Sequence, residues 1–216
     1  MEKFKEYKKT IMITSIITLL PIVVGLILWN KLPNEIATHF DANGVADGWS
    51  SKAFAVFGIP IFIFLCQFIC IAVTCADPKR QKIGDKMFKV ILWVIPFTSW
   101  IGAISIYGEA LGWKQNGMTW AMILIAVLFI VVGNYLPKCR QNYTVGIKLP
   151  WTLHDEENWN RTHRMAGKLW MVCGALLLIS AILGFANSWV MPVIMIVMVL
   201  VPMGYSFWFY TKNKEK

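Results

Sequence analysis

Charge is scarce in this chain. Of 216 residues, 15% are Asp, Glu, Lys or Arg, against about a quarter in an ordinary soluble domain. No Lys or Arg, and no clear Asp or Glu, falls at the middle of an apolar run. Gln67 is the one strongly polar residue at that depth. Pumps and ion-coupled transporters place ionisable groups there, so an ion-driven transporter is disfavoured. Cysteine chemistry is equally thin. Cys66, Cys70, Cys75, Cys139 and Cys173 form no C-x-x-C pair and no secreted disulfide framework, and they read as small buried apolar residues. No small-x-small cleavage site follows the first apolar run; Asn30, Lys31, Leu32 and Pro33 come instead, so that run is expected to remain as a helix. There is no H-E-x-x-H pair and no serine or cysteine nucleophile set beside the histidines.

What the chain has is hydrophobicity: 57% apolar residues and a mean hydropathy of +0.56. About 20 apolar residues span a hydrocarbon core. Six such runs are present, at 10–30, 53–75, 90–108, 119–136, 166–186 and 189–210. Backbone in lipid must satisfy its own polar groups. The expectation is therefore an all-α polytopic membrane protein with six transmembrane helices in a single membrane domain, 1–216. Within it, 10–75 form an N-terminal helix pair with an outer loop at 31–52, and 119–210 form a core with an inner connector at 137–165. If the N-terminus is cytoplasmic, all of the 21 basic residues except Lys31, Lys52 and Lys114 lie on the inner side. The positive-inside rule then puts both termini in the cytoplasm. The net charge of +9 is read as a topology signal that also attracts anionic lipids. Nucleic-acid binding is disfavoured, because the basic residues are spread over four membrane-adjacent segments. Pro21, Pro60, Pro96, Pro192 and Pro202 are expected to bend helices.

The first outer loop, KLPNEIATHFDANGVADGWSSK, is rich in turn residues. His39, Asp41 and Asp47 resemble metal ligands in type. The spacing D-x-N-G-x-x-D-G is not a calcium-hand loop, which needs its glycine later and a distal Glu. Turn chemistry explains it better, and no metal or cofactor is assigned. Phe40, Trp49 and Phe54 are expected at the interface, as are Phe4 and Tyr7 ahead of the first run. Asn43-Gly44 and Asn187-Ser188 read as turns.

The inner connector and its flanks, 133–170, hold two of the three histidines, six of the 21 basic residues and three of the 12 acidic ones. Pro137 should stop the fourth helix. Residues 147–151 should be extended before Pro150. Thr152 should cap a following helix with Asp155 at its third position. Glu157 and Arg161 are an i,i+4 pair, with Arg164 on the same face. Trp151 and Trp159 are expected as interfacial anchors. His154, Glu157 and His163 could hold a metal or do acid-base work, but caps and surface ion pairs explain them at least as well. Phosphate of lipid headgroups is the better expectation for Arg161, Arg164 and Lys168. On the fifth span, Gly167, Gly174 and Ala181 recur every seven residues with Gly184 beyond, a pattern that lets helices approach closely.

Three strings in this region, GNYLPK (133–138), NYxxGIKxPWTL (142–153) and ExWxxTHRxxGxLW (157–170), closely resemble the signature of the SdpI family of bacterial multi-pass membrane proteins. The outer string LPxxIAxHFxxxGxxDxW (32–49) resembles the small domain of unknown function that often precedes it. The resemblance implies immunity to a secreted killing peptide. It also implies signal transduction in which a soluble autorepressor is drawn to the membrane. It carries no catalytic residues. On that expectation the toxin meets the outer loop through Glu35, His39, Phe40, Asp41, Asp47 and Trp49. The partner-facing inner surface then comprises Asn134, Asn142, Gly146, Pro150, Trp151, Thr152, Glu157, Trp159, Thr162, His163 and Arg164. A membrane enzyme acting on a lipid or peptide through His154, Glu157 and His163 is the alternative reading, and a peptide exporter is disfavoured.

Overall fold

A computed structural model of the protein describes residues 5–41, 45–113, 117–184 and 189–214. Phe4, Lys114 and the Asn43-Gly44 and Asn187-Ser188 turns lie outside them. Six of the described helices are long and apolar enough to cross a membrane. These are α1 (Lys8–Ile27), α2 (Ile59–Ala76, entered through a π-helical turn at Phe54–Gly58), α3 (Asp85–Ala110), α4 (Gly117–Tyr135), α6 (Glu156–Ile182) and α7 (Val190–Lys214). A short helix, α5 (Pro150–His154), lies in the connector. The all-α expectation holds with one addition: residues 31–52 are not only turns. Strands β1 (Glu35–Phe40) and β2 (Ala46–Ser51) form an antiparallel hairpin.

Two packing devices build the bundle. The first is backbone approach between α4 and α6, the most extensive interface. A Cβ at Gly167 would lie 2.6 Å from the Gly133 carbonyl oxygen, and one at Gly174 would lie 2.7 Å from that of Ala126. Hydrogen at these positions lets the two backbones touch. Gly184 belongs to a different device. Its φ is +74° and its N–H bonds the Ala181 carbonyl, so it ends α6 rather than packing it.

The second device concerns the prolines. A proline inside a helix leaves the carbonyl four residues earlier without its donor. Pro21 does this to Ile17, and the Trp100 indole N–H on α3 donates to that carbonyl at 3.0 Å. Pro202 does it to Met198, and the Trp170 indole N–H on α6 donates there at 3.1 Å. Pro96 also lies inside its helix, α3. Pro60 follows directly on the π-helical turn Phe54–Gly58, as the second residue of α2. Gln67 is fully buried and donates to the hydroxyls of Thr14 and Ser15 on α1.

The hairpin is seated, not free. Ile36 is buried with Leu32, Val56, Ile106 and Tyr107. Lys52 donates to the Trp29 carbonyl at 3.0 Å. At the other end of the bundle, Ile83 and Met87 pack with Cys139 and Trp159 of the connector. Helix α3 therefore touches the hairpin at one end and the connector at the other.

Candidate functional site

Two polar surfaces lie at opposite ends of the bundle. On the hairpin, alternation sorts the residues by face. Ile36 is buried and Thr38 shares a 2.9 Å hydrogen bond with Ser50 on the half-buried side. Glu35, His39, Asp47 and Trp49 are exposed, Trp49 to 59%. His39 Nδ1 lies 2.6 Å from Asp47 Oδ1. Asp41 accepts the Val45 N–H at 2.8 Å and so closes the turn, and Phe40 is half-buried. Of the six expected outer residues, four are thus exposed together, Asp41 bonds the Val45 N–H, and Phe40 is a half-buried strand residue paired with Ala46. The missed signal was that alternation around Asn-Gly.

The connector is a knot of buried hydrogen bonds. Asn142, fully buried, ties its own loop: its amide donates to the carbonyls of Arg140 and Val145, and its Oδ1 accepts from the N–H groups of Thr144 and Val145. The Trp159 indole donates to the Cys139 carbonyl at 2.7 Å. Burial pushes the Cys139 thiol up to about 11, against an opposing hydrogen bond from Asn142. It is therefore a packed thiol, not a nucleophile.

His163 stacks on Trp159 with ring centroids 4.0 Å apart. Its Nδ1 lies 2.7 Å from the Trp159 carbonyl and its Nε2 accepts the Ile147 N–H at 2.9 Å. A carbonyl can only accept, so Nδ1 carries the proton and the ring is neutral. Gly146 lies directly under this pair. Its φ is +120°, and a Cβ there would collide with His163 Nε2 and with the Trp159 ring.

A second set of bonds fastens the knot to α7. Trp151 donates through its indole to Ser206 Oγ at 2.8 Å. Ser206 in turn donates to Asn158 Oδ1 at 2.7 Å, which also accepts from Thr162. The Asn158 amide donates to the Ser206 carbonyl. A third set reaches the loop between α2 and α3. The buried Asp77 carboxylate accepts from the Lys79 N–H at 2.7 Å, the Tyr143 N–H at 2.9 Å and the Thr144 hydroxyl at 2.5 Å. Lys79 Nζ donates to Gln141 Oε1, and the Gln141 amide bonds the Thr152 and Leu153 carbonyls.

Several expectations are corrected. Trp159 is not an interfacial anchor but the largest fully buried side chain, because its indole finds the Cys139 carbonyl inside. Trp151 is half-buried, stacked on Tyr210. Residues 147–151 are not extended throughout, since Pro150 opens α5 at the position where its missing N–H costs nothing. Thr152 is not a helix cap for Asp155. It is the third residue of α5 and accepts the Leu149 N–H. Asp155 itself caps α6, accepting the N–H groups of Glu157 and Asn158. His154 is exposed and bonds the Pro150 carbonyl, and both His163 nitrogens are occupied. His154, Glu157 and His163 are thus employed separately, and among the described residues no three His, Cys, Asp or Glu side chains cluster as a metal site. Asn134 is exposed on the last turn of α4. Sequence reasoning missed Asp77, Gln141, Asn158 and Ser206. Ser206, a lone hydroxyl in an apolar run, was the available signal.

The outer face of α6 is open. Glu157 and Arg161 pair at 2.8 Å, and the Arg161 guanidinium lies over the Phe209 ring at 5.0 Å. Arg164 and Lys168 continue along a groove of about 790 Å³ between α6 and α7.

Comparison with known proteins finds two family models that match parts of the chain, one over the connector and one over the hairpin. The model of the SdpI/YfhL protein family matches residues 138–206. That of a domain of unknown function (DUF1648) matches residues 16–64. The chain is 27% identical over 197 residues to Immunity protein SdpI of Bacillus subtilis (strain 168), with 89% of each chain covered. No solved structure matches the chain.

Proposed function

With an SdpI/YfhL family region at residues 138–206 as the premise, we infer that this chain is a multi-pass immunity protein of the bacterial cytoplasmic membrane, protecting its cell from a secreted killing peptide. The observation that carries the reading is that the matched segment contains the whole connector knot together with Ser206, the residue that fastens it to α7. The similarity to Immunity protein SdpI over 89% of both chains supports it. The role is one of binding and not of catalysis.

In this reading both termini and the connector are cytoplasmic, as the distribution of Lys and Arg favours. The hairpin then faces the exterior. Its outward residues, Glu35, His39, Asp47 and Trp49, offer a tryptophan, a residue enriched at binding hot spots, beside the hydrogen-bonded His39–Asp47 pair. Asp41 joins the two strands beside them through the Val45 N–H. The connector is the surface on which a soluble repressor would be held, and occupancy of the hairpin would bias which connector arrangement is populated.

The test is survival of a sensitive bacterium expressing the chain and challenged with the killing peptide of the similar system. Wild type should protect. Trp49→Ala with Asp47→Ala, at matched membrane levels, should lower the tolerated peptide dose by roughly tenfold or more, the loss of a single anchor. Protection unchanged after replacing the hairpin by a plain turn would remove peptide capture from the proposal. Absence of protection by wild type would remove immunity to that peptide.

A further inference from the structure

We propose that the groove between α6 and α7 is a binding site for one anionic phospholipid of the leaflet at the connector end. The argument starts from length. Helix α6 has 27 residues, which rise about 40 Å against a hydrocarbon core of about 30 Å. Its first turns, which carry Glu157 and Arg161, therefore stand outside the hydrocarbon. Arg164 lies near the boundary. Lys168 lies about 10 Å further along the axis than Arg161, between Gly167 and Leu169 and after the point where the helix has turned apolar. A lysine this near the helix end extends its ammonium back to headgroup level, where it takes an anion.

The protein does not supply that anion. Glu157 is held by Arg161, and among the described residues no hydrogen bond or ion pair joins Arg164 or Lys168 to another side chain. Both are exposed. They line the same groove, whose deeper part is Leu169 and Val172, with Tyr205 of α7 on the opposite wall. Val172 lies about 16 Å along the axis from Arg161, the depth of one leaflet. The groove thus has a doubly cationic mouth at headgroup level and an apolar floor where an acyl chain runs. A free phosphate would satisfy the mouth alone. A phospholipid satisfies both parts, and the charge complementarity selects an anionic one. This inference does not depend on the immunity reading.

The experiment uses the full-length chain in nanodiscs of mixed phosphatidylglycerol and phosphatidylcholine, with retained lipid read by native mass spectrometry. Wild type should retain phosphatidylglycerol over phosphatidylcholine by roughly thirtyfold, as two cations near the surface would give. Arg164→Gln with Lys168→Gln should bring the ratio close to parity. Lys138→Gln with Arg140→Gln, which removes equal charge from the same end outside the groove, should leave it unchanged. The proposal is overturned if wild type shows no preference, or if the two double variants lose it equally, which would be diffuse surface attraction. It is also overturned if millimolar inorganic phosphate displaces the lipid, which would make the site one for phosphate.

Discussion

Two tryptophans perform the same act in different halves of the molecule. Trp100 and Trp170 each give an indole N–H to a carbonyl that a proline has orphaned, Ile17 by Pro21 and Met198 by Pro202. In a bilayer such a carbonyl has no water to turn to. A hydrogen bond between spans contributes about 0.6 kcal/mol and at most about 1.7, and a stranded buried acceptor costs about 1–3 kcal/mol. Trp100→Phe keeps most of the ring and removes the donor, so it should lower unfolding stability in detergent by about 1–2 kcal/mol. The decisive measurement is the cycle with Pro21→Ala. Alanine restores an N–H at position 21 that can take back the Ile17 carbonyl. In that background Trp100→Phe should cost only its small packing difference. Equal costs in both backgrounds would mean that the indole is not serving the proline.

At the level of elements, glycines on the spans are not equivalent. A Cβ at Gly167 meets the Gly133 carbonyl oxygen and the Pro137 ring, while one at Gly204 meets nothing within 4 Å. Gly167→Ala should force α4 and α6 apart and destabilise by about 1–3 kcal/mol, the usual cost of overpacking. Gly204→Ala should be neutral or stabilise by up to about 1 kcal/mol through helix propensity. Thermal unfolding of both variants beside wild type checks this, and similar values for the two would reject the close-approach account. The heptad of Gly167, Gly174 and Ala181 was legible because small residues recur on one face, and the six spans were legible because apolar length is a local property. The hairpin was not, since Asp, Asn and Gly signal turns more loudly than the short alternation beside them signals strands. The caps by Trp100 and Trp170 were invisible for another reason: donor and acceptor are far apart in sequence, and an aromatic in a span reads equally well as packing. Trp159 shows the same limit. Its place next to charged residues reads as an interfacial ring, yet the fold of the Asn142 loop puts a carbonyl in reach and buries it. The connector was legible as a polar segment that needs partners, but its residues were expected on a partner-facing surface, whereas Asn142, Thr152, Trp159, Thr162 and His163 are buried among one another; the pairing of Asp77 with Tyr143 and Thr144 was not legible.

On the scale of the whole molecule, the connector is tied to both halves at once. Ser206 fastens it to α7 through Trp151 and Asn158. Asp77 fastens it to the loop before α3 through the Tyr143 N–H and the Thr144 hydroxyl. Helix α3 continues from that loop to the hairpin, where Ile106 and Tyr107 pack on Ile36. A shift of α3 caused at the hairpin therefore arrives at the connector through the Asp77 bonds, the Lys79–Gln141 bond and the packing of Ile83 and Met87 on Cys139 and Trp159. A bound peptide changes the connector only to the extent that it prefers one arrangement of α3 over another. Asp77→Ala removes the polar part of that tie made by the carboxylate while leaving the Ser206 network and the hairpin untouched. Hydrogen exchange on the full chain should then show faster exchange at the Tyr143 amide, which has lost its acceptor. With the killing peptide added, wild type should change exchange at both the hairpin and residues 139–149. Asp77→Ala should change it fully at the hairpin and by less than half as much at the connector. A connector response of equal size in the variant would mean that the signal travels through the other contacts, such as Ile83 and Met87 on Cys139 and Trp159, and the carboxylate would be left as a structural clamp.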